Sequence, residues 1–299
     1  MELDQELGTG TVNLPVKQKK RNAFADVWNR LRKNKMAVLS MIILVGLVIV
    51  AILANILSPY PYAEQNLEEM LLPPSSAHWF GTDEYGRDIL SRIIYGSRIS
   101  LQVGFVAVVF SVTLGGIIGA IAGYYGNKID NILMRAMDIV LAIPGILLAI
   151  AIVNVLGTGL INVMIAVGIA SIPTYARIVR ASVLSIREQE FVESARAIGE
   201  NDFSIIFRYI LPNCMAPIIV QATLGVAWAI LSAAGLSFLG LGLQPPTPEW
   251  GAMLSEGRQY IFDAYWITTF PGLAIVIVVL ALNIFGDGLR DALDPRLKQ

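Results

Sequence analysis

Six ionisable side chains fall within 190-EFVESARAIGENDFSIIFRYILPN-213: Glu190, Glu193, Arg196, Glu200, Asp202 and Arg208. Carboxylates and guanidinium groups at this density suit polar contact with another protein. The chain shows no metal-ligand cluster and no nucleophile with a base. The chain has one histidine, His78, and one cysteine, Cys214. That excludes an intrachain disulfide and argues against a cysteine metal site or a His-rich one. A phosphate-cradling loop needs G-x-x-x-x-G-K-[ST]. The nearest string, 119-GAIAGYYGNK-128, lacks that ending. The chemistry to account for is recognition, without a nucleophile, a metal cluster or a bound nucleotide.

The elements that position this stretch are written for lipid. Of 299 residues, 55% are hydrophobic and 15% charged, with mean hydropathy +0.63. A soluble domain carries about 25% charged residues. Net charge of −1 gives no signal for nucleic acid. Runs near the length of a spanning helix occur at 36–57, 99–124, 138–156, 160–176, 217–239 and 268–285. An all-α integral membrane protein with six transmembrane helices follows. The first run begins too far into the chain, and lacks the cleavage pattern, for a signal peptide. The 157-GTG-159 turn joins the third and fourth runs. Residues 1–35 read as an N-terminal tail, its first 25 residues polar and mobile, and 287–299 as a C-terminal one.

Lys and Arg alternate in density from loop to loop. With the N-terminus in the cytoplasm, eighteen lie inside and four outside, so the positive-inside rule puts both termini and the 190–213 stretch in the cytoplasm. Residues 58–98 then lie outside. Their end, 80-FGTDEYGRDILSRIIYGSRIS-100, reads as an interfacial helix with Ile89, Ile93 and Tyr95 toward the membrane and Arg87, Asp88, Arg92 and Arg98 toward water. Trp79, Trp250 and Trp266 fall where interfacial anchors are expected, and His78 reads as a surface residue. After the stiff 244-QPPTPEW-250 turn, 251–264 reads as a short amphipathic helix.

Within 190–213, Phe191, Ala195 and Ile198 recur at helical spacing. Gly199 then supplies a position where positive φ costs nothing. Asn201 or Asp202 caps a second helix, with Phe203, Ile206, Phe207 and Ile210 as its stripe, and Pro212 and Pro217 bend the chain beyond it. Helix, glycine turn, helix is a docking surface or, on periodicity alone, a solvated loop. Within the spans, ionisable groups are nearly absent, and those at mid-membrane would flag coupling. Asp138 is read as pairing with Arg135, with a role in gating as the alternative. Gln102, Asn154, Asn162, Gln221, Thr223, Ser232 and Asn283 either line a path for a polar solute or bond neighbouring helices; Ser111 and Thr113 share that ambiguity. The glycines of 115-GGIIG-119 suit close helix packing.

Two motifs carry a family resemblance. The string 193-ESARAIG-199, nine residues, then 209-YILP-212 resembles the EAA motif of ATP-binding-cassette importer permeases, with Ser194 and Tyr209 as the departures. Independently, 81-GTDEYGRDILSRIIYGSRISLQVG-104 resembles the C-type permease subunit of dipeptide, oligopeptide and nickel importers. So do 135-RAMDIVLAIPGILLAI-150, 235-GLSFLGLG-242, 249-EWGAML-254 and 286-GDGLRDALDPRL-297. The resemblance covers roughly 36–297. It implies a type I importer permease core over 99–286, with a coupling loop at 182–213, in a bacterial or archaeal inner membrane. It also implies a homologous B-type permease, two cytoplasmic ATPases that bind the ATP and magnesium, and an external substrate-binding protein.

Carried over residue by residue, Glu193 makes the polar contact with the ATPase, Ala195 permits close approach and Gly199 makes the turn. Ser194, Glu200, Asp202, Leu211 and Pro212 complete the coupling set. For Glu193 a pair with Arg196, or solvation alone, stays open. Peptide and nickel both stay open as cargo, with peptide the broader group. A secondary carrier would need intramembrane charges, and a membrane enzyme a reactive constellation, that the sequence lacks.

Overall fold

A computed structural model describes residues 23–293. The expectations for 1–22 and 294–299 lie outside the described residues. Among the described residues there are helices and no named β-strand. A short α1 (Ala23–Leu31) precedes α2 (Lys35–Ile52), which begins where the Asn34 side chain accepts from the amides of Met36 and Ala37 at 3.1 Å. That satisfies two of the first-turn donors that any helix leaves without a partner. The first span breaks at Leu53, and α3 (Ala54–Leu57) finishes it. Ile42 and Ile52 on α2 are more than 60% exposed. Apolar side chains turned outward on a helix whose backbone bonds are internal are what a bilayer accepts.

The frame is α4 (Ile89–Tyr125), 37 residues in one helix and about 55 Å long. It starts at the Asp88 cap and continues straight into the span, so no separate interfacial helix precedes it. It lies against α7 (Leu160–Ile186). The contact is close because Gly115, Gly119 and Gly123 recur every four residues along one face. A Cβ at Gly115 would come within 2.6 Å of the Ile172 carbonyl oxygen, and one at Gly123 within 2.8 Å of Val183 Cβ. Ser111 joins the two helices, its hydroxyl donating to carbonyls of Ala107 and Gly168.

The third expected span is corrected. Residues 138–156 do not form one helix: α5 (Asn127–Leu141) and α6 (Gly145–Leu156) meet at an 86° bend. Pro144 cannot donate to the ladder, and the residue before a proline avoids helical geometry. At twelve residues α6 is about 18 Å long, short of the roughly 30 Å hydrocarbon core. Among the described residues five helices are long and apolar enough to cross, or six if the bent pair counts as one span. Asp138 on α5 pairs with Arg177 of α7 at 2.6 Å rather than with Arg135, and Asp130 pairs with Arg180. The expected intrahelical pair gave way because α5 lies across α7, where its acidic face meets two arginines.

After α8 (Glu190–Ala197) and α9 (Asp202–Ser204), the chain enters α10 (Leu211–Phe238) through a π-helical turn at Ile205–Ile210. These pieces make one continuous helix over Asp202–Phe238. Pro212 and Pro217, where a bend was expected, do not break it. The wider turn ahead of Pro212, where the Leu211 amide bonds to Ile206, absorbs the mismatch. Two further helices, α11 (Trp250–Gly257) and α12 (Trp266–Leu293), complete the order.

Near α11 the structure differs again from the sequence reading. Trp250 and Trp266 are buried rather than interfacial. The Trp250 indole donates to the Ile93 carbonyl at 3.1 Å, and that of Trp266 to Thr82 at 3.2 Å. Trp79 remains exposed.

Candidate functional site

The loop after α7 is seated rather than free. Val192 and Ala195 on α8, and Ile205, Ile206 and Ile210 beyond it, are buried in one cluster with Tyr124, Val179, Val183 and Cys214. The expected stripes hold only in part: Ile206 and Ile210 are buried as read. Of Phe191, Ala195 and Ile198 only Ala195 is buried, and Phe203 and Phe207 stand 70% and 52% exposed. The small Ala195 lets α8 settle on its Val192 side, and the exposed Phe203 and Phe207 rings line an apolar groove beside Ile117 and Tyr125 of α4. The two rings form a ridge, with Phe203 and Phe207 centroids 4.4 Å apart.

The turn is built as glycine chemistry dictates. Gly199 has φ +84°. Its amide bonds to the Arg196 carbonyl at 3.0 Å, and the Glu200 amide to that of Ala195 at 3.1 Å, the paired bonds of a Schellman ending. Asn201 then caps α9, accepting from the Ser204 amide at 2.8 Å.

Of the coupling set, Glu193 and Ser194 are exposed on α8, and the Ser194 hydroxyl is folded back to the Glu190 carbonyl. Glu193 does not pair with Arg196, whose guanidinium lies 5.1 Å over the Tyr124 ring. It borders a polar recess of about 220 Å³ with Tyr124, Arg187, Glu188 and Arg196. Glu200 is half-buried at the turn. Asp202 accepts a 2.6 Å hydrogen bond from the Tyr124 hydroxyl. Leu211 packs with Phe203 and Phe207 along an apolar groove, and Pro212 is exposed.

The structure does not bring the seven span residues together. Asn154, Thr223 and Asn283 donate to backbone carbonyls one turn back, and Asn162 caps the end of α6 through Leu156 and Gly157. Thr113 does the same with Val109. Gln102 is exposed. Ser232 lines a cavity of about 510 Å³ between α6, α7 and α10 that also takes Ser171, Thr174 and Trp228, and Gln221 lines a different one with Arg290. Sequence reasoning passed over Thr174 and Trp228. A bulky tryptophan within an otherwise aliphatic run was the available signal.

At the far end of α4, Arg98 is exposed as expected, but Arg87, Asp88 and Arg92, also read as facing water, are buried. Arg87 and Arg92 are each 1% exposed. Arg87 Nε donates to Asp83 at 2.6 Å, and both guanidinium groups reach Glu256 Oε2, at 2.9 and 3.0 Å. His78 is also buried, bonding Asp88 through Nδ1 at 2.9 Å. These groups close inward because α11 folds over them. Asp83, Glu84 and Glu256 place carboxylate oxygens within 4.8 Å of one another, and the two arginines take the Asp83 and Glu256 oxygens. Glu84 Oε2 is buried without a hydrogen-bond partner.

Burial first, then Asp83 and Glu256, push the Glu84 carboxyl above its usual range, against the pull of its own backbone amide and Arg87. A raised carboxyl binds its proton more tightly folded than unfolded. Its contribution to stability is complete below the ordinary glutamate range and is lost as pH rises through the folded value. Glu84→Gln is therefore expected to raise the thermal midpoint at neutral pH, with the gain vanishing at acid pH, read by unfolding scans of the detergent-solubilised complex.

The chain matches known proteins along nearly its whole length. Residues 115–299 match the model described as binding-protein-dependent transport system inner membrane component, and 22–74 match the N-terminal transmembrane domain of oligopeptide transport permease C. A dipeptide transport system permease protein of Alkalihalophilus pseudofirmus is 54% identical over 275 residues, 92% of this chain and 90% of that protein. A di/tripeptide permease protein of Pseudomonas aeruginosa is 47% identical over 91% of this chain and 92% of its own length. A glutathione permease protein of Escherichia coli is 48% identical over 93% and 92%. Among solved structures, the inward-facing MetNI methionine transporter aligns with TM-score 0.55 at 21% identity, over 68% of this chain and 96% of that one. An amino acid ABC transporter aligns at 0.53 and 16%, over 68% and 94%. At those identities the likeness is one of fold.

Proposed function

The chain belongs to the binding-protein-dependent transport system inner membrane components, and on that premise we propose that it builds half of the path of an ATP-driven importer for di- or oligopeptides. It is a multi-pass permease subunit of such a transporter. The peptide cargo rests on relatives named for dipeptide, di/tripeptide and glutathione transport. Its partners in this reading are a homologous B-type permease, two ATPases that bind ATP and magnesium, and an external binding protein. The termini and the 190–213 loop face the cytoplasm, in keeping with the distribution of Lys and Arg.

One observation carries the coupling role. The Gly199 turn fixes α8 on a buried seat while presenting Glu193 and an aromatic ridge outward. An exposed carboxylate and exposed rings on one loop are the residue types of a protein interface, with its aromatic core and polar rim.

The orientation has a direct test. With Cys214 replaced by serine and Glu200 by cysteine, an impermeant maleimide is expected to leave intact cells unlabelled and to react once the membrane is opened. Labelling of intact cells would place the loop outside and end the coupling reading.

A further inference from the structure

We infer that Tyr124 and Asp202 form the link through which motion of the 190–213 loop reaches α4, so that Asp202 serves transmission rather than contact with the ATPase. The inference rests on the coupling role proposed above. The loop's second arm continues into α10 without a break, so α10 receives any displacement through covalent backbone. No such continuity joins the loop to α4, which precedes it by 64 residues. What joins them is a small set of side-chain contacts gathered on the last turn of α4.

The Tyr124 hydroxyl donates to Asp202 Oδ1 at 2.6 Å, across 78 positions of sequence. Arg196 covers the face of the Tyr124 ring, 5.1 Å from its centroid. Arg187, at the end of α7, donates to the Gly123 carbonyl at 2.8 Å, one of the acceptors that a helix end leaves open. The last turn of α4 is thus held from α7, α8 and α9 together.

The other end of the same helix is held as firmly. Arg92 sits in the buried ion network and reaches Glu256 of α11 at 3.0 Å. Buried groups of this kind tolerate little displacement, because breaking a pair leaves an uncompensated charge. A 37-residue helix clamped at both ends, and in close contact with α7 through three glycines, moves as a rod. Of the contacts at its loop end, the tyrosine–aspartate bond is charge-assisted and short, and so carries the most directional force.

The test uses the whole complex: this chain, the partner permease, the ATPases and the binding protein loaded with the solute with which it purifies. In proteoliposomes, Tyr124→Phe removes the hydroxyl and keeps the ring. It is expected to cut binding-protein-stimulated ATP hydrolysis about tenfold, the worth of a hydrogen bond to a charged group, while unstimulated hydrolysis and recovered ATPase stay at wild type. Asp202→Ala is expected to lose stimulation to the same degree, and to add nothing to the tyrosine variant. Asp202→Asn, which keeps an acceptor, is expected to restore most of it. Wild-type stimulation in the tyrosine variant would overturn the inference, as would a parallel fall in ATPase recovery, which would make these groups part of the docking face. If Glu193→Lys also leaves recovery at wild type, it is the coupling reading that has failed.

Discussion

Solute uptake is expected to fall by about tenfold or more when Gly199 is replaced by valine, with the protein still in the membrane. A β-branched residue at φ +84° is strained, by about 1–2 kcal/mol for the left-handed conformation. The cause is conformational rather than steric, since a Cβ there meets nothing within 4 Å. Relief comes by unwinding the turn, which rotates α8 off its Val192 and Ala195 seat and re-aims Glu193. Gly199→Asn, which tolerates positive φ, is expected to keep most of the activity. Glu193→Lys attacks the same face by charge reversal, and a residue at an interface hot spot is worth about 2 kcal/mol or more. The measurement is ATPase recovered in pull-downs beside uptake, at equal membrane abundance. Normal values for both Gly199→Val and Glu193→Lys would reduce the loop to a solvated connector.

Uptake is expected to be absent when this chain is expressed with the ATPases and the binding protein but without the B-type permease. The cavity at Ser232 is walled by the half-helix α6 and by Trp228, which is 67% exposed. A twelve-residue helix does not cross a bilayer, and an exposed tryptophan beside Ser171 and Thr174 leaves one side of the cavity without a wall. In the proposed importer the B-type permease supplies that wall. Full uptake from the incomplete set would show that copies of this chain alone make the path.

The spans were legible because hydropathy is a local signal, and the Gly199 turn because positive φ after an amphipathic segment names its residue. Pairings that depend on distant segments were not. Arg92 looked like a water-facing charge because Glu256, 164 residues on, does not show itself in the local period. His78 and Trp250 were misplaced for the same reason, since a core outside the membrane looks from sequence like interfacial decoration. Asp138 has an arginine three positions away, yet the fold offers it Arg177 instead. The stripe of the second loop helix was right for Ile206 and Ile210, which are buried, and wrong for Phe203 and Phe207, which are exposed. Among the seven polar residues proposed for the path, the self-bonding of Asn154, Thr223 and Asn283 to their own helices could be seen only with side chains in place.

The most direct measurement of the central claim is dipeptide uptake into proteoliposomes holding the full complex, with ATP inside and ion gradients collapsed by ionophores. Uptake is predicted to persist, to require hydrolysable ATP together with the binding protein, and to disappear with Glu193→Lys while this chain remains inserted. Uptake that survives without ATP, or that stops when the gradients are collapsed, would contradict an ATP-driven importer and point to a secondary carrier.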